Sequence, residues 1–109
     1  MSNVIQVDEQ TFDPEINNTE FAIVDFTADW CPPCKMMHPI YNQLSRKYGA
    51  QIKFLEVDSA LAPQLIARYS IQAMPTFIFF KNGEPVQRLV GSRPSHKFEA
   101  EIQAFLNNK

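Results

Sequence analysis

The sequence predicts an α/β domain with a central mixed five-stranded sheet flanked by four helices. Three observations predict it. Along the 109 residues, strand-length apolar runs alternate with helix-spaced apolar stripes in the order β-α-β-α-β-α-β-β-α. Phe21-Ala22-Ile23-Val24-Asp25-Phe26 is almost continuously apolar, as a central strand covered on both faces must be. Asn82-Gly83 lies between two apolar runs, the strongest short-range hairpin signal.

Taken in order, Val4 to Val7 is a short first strand. Asp8 is placed to cap the next turn, and Phe12 and Ile16 share one face of a short helix that Asn17-Asn18-Thr19 breaks. The second strand, Phe21 to Phe26, contains one polar residue, Asp25. From Pro33 to Tyr48 the apolar spacing changes to three and four, through Met37, Ile40, Tyr41, Leu44 and Tyr48, which marks a second helix. Pro33 suits a first helical turn, where its missing N–H is not needed. Pro39 is expected to kink this helix and Gly49 to end it. Ile52 to Val57 is a third strand, and Leu61, Leu65, Ile66 and Tyr69 mark a third helix with Pro63 near its start. Thr76 to Phe80 and Val86 to Val90 form the hairpin around Asn82-Gly83. After Gly91 and Pro94, Phe98, Ile102, Phe105 and Leu106 line the last helix. Helices between the first strands imply parallel crossovers, and the hairpin adds an antiparallel edge.

Composition narrows the function. Hydrophobic residues make up 45% and charged residues 20%, with 9 Phe, which fits one domain spanning 1–109 around a dense core. A net charge of −2 offers no basic footprint for nucleic acid or anionic lipid. No apolar stretch approaches the roughly 20 residues that span a bilayer. The opening Met1-Ser2-Asn3-Val4-Ile5-Gln6 lacks a basic region and apolar run, so the expected location is the reducing cytoplasm.

The only two cysteines lie in Trp30-Cys31-Pro32-Pro33-Cys34, between the second strand and the second helix. Two thiols so spaced can close and reopen a disulfide while the rest of the fold stands still. A helix N-terminus carries about half a positive charge, which favours a thiolate. A free thiol with pKa about 8.5 is only about 3% ionised at pH 7, so a lowered value matters. Cys31, just before the helix, is the expected exposed attacker, and Cys34, one turn in, the buried resolving thiol. Zinc and an inert structural disulfide are the rival readings. Zinc usually takes four ligands from two separated pairs, and only His38 and His96 are available beside the cysteines, so no metal site is expected.

With Val24-Asp25-Phe26, Ala28-Asp29-Trp30-Cys31, Pro33-Cys34-Lys35, Pro39, Met74-Pro75-Thr76, Phe80-Lys81-Asn82-Gly83 and Val90-Gly91 in this order, the chain resembles the thioredoxin family over nearly its full length. The resemblance implies the thioredoxin fold and a thiol–disulfide oxidoreductase that reduces protein disulfides and maintains cell redox homeostasis. It also implies a cis-proline at Pro75 packed on the disulfide, and a docking rim of Trp30, Met74, Pro75, Val90 and Gly91. Asp25 then becomes a buried carboxylate behind Cys34, its pKa raised by burial and suited to passing a proton. No bound cofactor is implied beyond the Cys31–Cys34 disulfide. Electrons would come from NADPH through thioredoxin reductase. Implied clients are peroxiredoxins, methionine sulfoxide reductase and ribonucleotide reductase, with the chain expected as a monomer that binds neither nucleic acid nor membrane.

The chain departs from the family at three places. Pro32 replaces the usual glycine, removes a backbone N–H beside Cys31 and, with Pro33, stiffens the loop. Such a Pro-Pro pair also resembles tryparedoxins and some glutaredoxins, so a carrier recharged by a small thiol is the alternative, with a thioredoxin-fold binding module beyond it. His38 stands where several relatives carry Lys or a small residue, and it is either weakly coupled to Asp25 or a solvated helix histidine. Ala60 stands where many members place an acid that holds the active-site indole, a task left to Asp58 or to no residue.

Overall fold

The computed structural model describes residues 3–107. Met1 and Ser2, the start of the segment read for a leader, lie outside them. The elements are β1 (Ile5–Val7), α1 (Phe12–Asn17), β2 (Phe21–Thr27), α2 (Pro32–Tyr48), β3 (Lys53–Asp58), a 3-10 turn (Ser59–Leu61), α3 (Pro63–Arg68), β4 (Thr76–Lys81), β5 (Glu84–Val90) and α4 (Ser95–Asn107). The sheet order is β1-β3-β2-β4-β5. β1, β3 and β2 run parallel, while β4 is antiparallel to β2 and β5 to β4. This is the expected mixed five-stranded sheet with four helices.

The two-residue period of the central strand sorts the core. Ala22, Val24 and Phe26 of β2 join Phe12, Ile16 and Leu65 on the side of α1 and α3. Ile23 joins Met37, Tyr41, Leu44, Phe98 and Ile102 on the side of α2 and α4. Asp25 falls on the Ile23 side by the same alternation, so the one acid in the strand faces the layer that α2 covers. The many phenylalanines close this layer edge to face: Phe77 and Phe98 lie 4.8 Å apart and Phe79 and Phe105 5.0 Å apart, centroid to centroid. Tyr41 Oη lies 2.9 Å from the Ile23 carbonyl oxygen and 2.8 Å from that of Leu55, tying α2 to both β2 and β3.

The hairpin is built as expected: Asn82 and Gly83 have φ of 51° and 83°, the paired positive values a two-residue primed turn requires. Gly49 ends α2, but with φ −63° it is right-handed. Its need is room, because a Cβ there would sit 2.5 Å from the Ser45 carbonyl oxygen and 2.8 Å from Asn3 Nδ2. α2 continues through Pro39, which lies on its exposed side.

Candidate active site

β2 ends at Thr27 and α2 begins at Pro32, so the Cys31–Cys34 pair occupies the strand-to-helix turn. Cys31 is the N-cap of α2, with extended φ −101° and ψ 108°, and its Sγ accepts the Cys34 backbone N–H at 3.2 Å. The two residues form a disulfide with Cα atoms 5.2 Å apart. Pro32 and Pro33 hold the first two helical positions and have no N–H to offer. The Lys35 N–H is already bonded to the Cys31 carbonyl at 3.1 Å. The Cys34 N–H is therefore the one first-turn donor on the sulfur.

Cys31 was expected to be exposed, and the structure corrects this. Its relative exposure is 3%, against 1% for Cys34. Ala28 and the distant Met74 pack on the pair, and the Met74 carbonyl oxygen lies 3.4 Å from Cys31 Sγ. Capping its own helix turns the sulfur inward, and the Met74 segment covers it.

The residues expected around it assemble, though not all as a rim. Met74–Pro75 is a cis peptide bond. Thr76 pairs with Val90 across β4 and β5, which sets Pro75 beside Gly91, and the Gly91 N–H donates to the Pro75 carbonyl at 2.8 Å. That bond and the start of β4 leave Pro75 buried, a support of the rim and not part of its surface. Val90 is exposed and Met74 and Gly91 half-buried. Gly91 has φ 89° and nothing within 4 Å of a built Cβ, so its backbone faces open space. Trp30 is 72% exposed. Asp58 does not hold the indole. Its Oδ1 accepts the Ala60 N–H at 3.1 Å and caps the 3-10 turn, and no hydrogen bond to Trp30 occurs among the described residues.

Beside Trp30 and Met74 runs a groove of about 580 Å³ whose walls include Ala60, Pro63, Ile66 and Ile71. Sequence reasoning missed its far wall. Ile66 reads there as helix core, and nothing in the order of residues says that α3 stands next to Trp30.

Asp25 is 1% exposed, and neither of its oxygens has a hydrogen-bond partner among the described residues. Burial holds its carboxyl well above the usual carboxylate range, and the charge of Glu56 pushes it the same way. Glu56 sits directly across the parallel register from Asp25. His38, expected to couple to Asp25, lies close to it but closer to Glu56. His38 Nε2 lies 3.2 Å from Thr27 Oγ1 and 3.6 Å from Glu56 Oε2, so the histidine's nearest acid is Glu56, and the charge acting on Asp25 is that of Glu56. Glu56 is the second residue missed by sequence reasoning, because its role depends on strand register.

The Thioredoxin family model matches residues 3–104. Thioredoxin 1 of Nostoc sp. is 33% identical over 107 residues, covering 97% of this chain and 100% of that protein. Chloroplastic thioredoxin Y of rice, Oryza sativa subsp. japonica, is 38% identical over 94% of this chain. The chain spans 63% of that relative's length, and 44% of chloroplastic thioredoxin M4 of Arabidopsis thaliana. A solved structure of Plasmodium falciparum thioredoxin matches with a TM-score of 0.82 and 33% identity, covering 96% of this chain and 99% of that one.

Proposed function

The chain belongs to the thioredoxin family, and from that premise we propose that it is a protein-disulfide reductase working through Cys31 and Cys34. The observation that carries this reading is the disulfide at the start of α2, with the Cys34 N–H directed at Cys31 Sγ. In the reduced protein that donor and the helix terminus stabilise a Cys31 thiolate. The thiolate attacks one sulfur of a client disulfide, and the other client sulfur leaves as a thiolate and takes a proton from solvent. Cys34 gives its proton to the Asp25 carboxylate, attacks Cys31 Sγ and displaces the second client sulfur, which leaves as a thiolate and takes a proton from solvent, to which Asp25 later returns its own. Two electrons pass from the protein dithiol to the client, and Cys31–Cys34 ends as the disulfide.

Asp25 suits its part because burial and Glu56 disfavour its charged form, so it holds a proton to higher pH than an ordinary carboxyl. Clients dock on the Trp30, Val90 and Gly91 surface, where the open side of Gly91 lets a backbone approach. Thioredoxin reductase and NADPH recharge the disulfide in the reducing cytoplasm. Peroxiredoxins, methionine sulfoxide reductase and ribonucleotide reductase are the client types. The protein acts as a monomer.

Insulin-disulfide reduction with NADPH and thioredoxin reductase tests the reading. Turnover is expected with wild type and none with Cys31→Ser. No turnover with wild type contradicts it, and recharging by glutathione alone transfers the protein to the small-thiol carriers.

A further inference from the structure

One oxygen of Asp25, one ring nitrogen of His38 and one oxygen of Glu56 lie within 4.8 Å of one another, although the three residues come from β2, α2 and β3. The His38–Glu56 separation of 3.6 Å is near the edge of a tetrahedron drawn around an ion with bonds of about 2.0–2.1 Å. Asp25 adds the independent observation. It is almost fully buried, both oxygens lack partners among the described residues, and one is aimed into this cluster. A buried carboxylate without a donor invites a proton or a cation.

We propose that Asp25, His38 and Glu56 form a binding site for one divalent cation of the Zn²⁺ class. An imidazole nitrogen with two carboxylates favours a borderline ion over Mg²⁺ or Ca²⁺, which prefer all-oxygen shells. Asp25 supplies the inner wall. The side chains of His38 and Glu56 are 36% and 16% exposed, so the ion enters from their side, and water completes its shell. On binding, Nε2 leaves the Thr27 hydroxyl for the metal. The site uses no sulfur, so it differs from the cysteine-bound zinc that the sequence argues against. An ion there would occupy the carboxylate assigned to the Cys34 proton, so occupancy would oppose release of the mixed disulfide. That consequence alone rests on the reductase reading.

Calorimetric titration of Zn²⁺ into the oxidised protein tests the site, because the thiols that would also bind zinc are then absent. One ion per chain is expected, and millimolar Mg²⁺ should not displace it. His38→Ala and Glu56→Gln should each weaken binding at least about tenfold, with thermal unfolding showing both folded, while His96→Ala leaves it unchanged. Absence of saturable binding, equal affinity in His38→Ala, loss of binding in His96→Ala or displacement by Mg²⁺ would each overturn the proposal. None of these outcomes depends on disulfide turnover.

Discussion

Pro32 and Pro33 take the first two positions of α2 and leave Cys31 Sγ with the Cys34 N–H alone. Restoring a donor at position 32 should stabilise the thiolate by about 0.3–1 kcal/mol, the range of helix-terminus effects. Pro32→Gly is therefore expected to lower the Cys31 pKa by about half a unit, at about 1.4 kcal/mol per unit. The pH dependence of iodoacetamide alkylation measures this, and a raised pKa would contradict it. Asp25 gives a second test at this scale. Its raised pKa means that the folded chain keeps a proton the unfolded chain releases, so stability falls as pH rises from about 4. Asp25→Asn removes the titration. At pH 7 it should stabilise the oxidised protein by on the order of 2 kcal/mol, with the gain vanishing below about pH 4. The same change should slow resolution of the mixed disulfide by about 100-fold, the lower end for a lost proton-transfer group. Urea unfolding across pH and single-turnover client reduction check the two effects.

In α2 and in the β4–β5 hairpin, single residues answer a geometric demand. Tyr41 ties α2 to two strands through one hydroxyl, and its loss in Tyr41→Phe should cost about 1–2 kcal/mol while leaving the ring in place. Gly83 lies at φ 83°, so Gly83→Ala should cost about 1–2 kcal/mol through the turn, with a Cβ 3.0 Å from Asn17 Oδ1 adding to it. Equilibrium urea unfolding measures both, and a neutral Gly83→Ala would contradict the primed-turn assignment. The elements themselves were legible from sequence, because apolar spacing of two or of three to four is local information. Gly49 shows the limit. Its place after α2 was readable, but its reason includes the approach of Asn3 from the start of the described chain, which no local pattern contains.

At the scale of the whole molecule, what sequence missed is what the topology brings together. Register sets Glu56 beside Asp25, and α2 then lays His38 over Glu56. The loop before β4 covers Cys31 with Met74, so the cysteine expected to be exposed is buried when oxidised. Asp25, Cys34 and Pro75 were identifiable because the motifs around them stand in a recognisable order. The walls of the groove beside Trp30 had no such mark. Trp30 is mostly exposed, so Trp30→Ala should change stability by less than about 0.5 kcal/mol. It should lower kcat/KM for a protein client about tenfold, the effect of losing about 1.4 kcal/mol of docking. A parallel loss of stability and activity would instead make Trp30 structural.

Cys34→Ser, incubated with oxidised insulin and analysed by non-reducing mass spectrometry with peptide mapping, addresses the division of labour between the cysteines most directly. The account predicts a stable mixed disulfide at Cys31, formed about as fast as wild type begins its reaction and not released. Turnover continuing in Cys34→Ser, or a Cys31 that captures no insulin chain while remaining reactive to iodoacetamide, would contradict it.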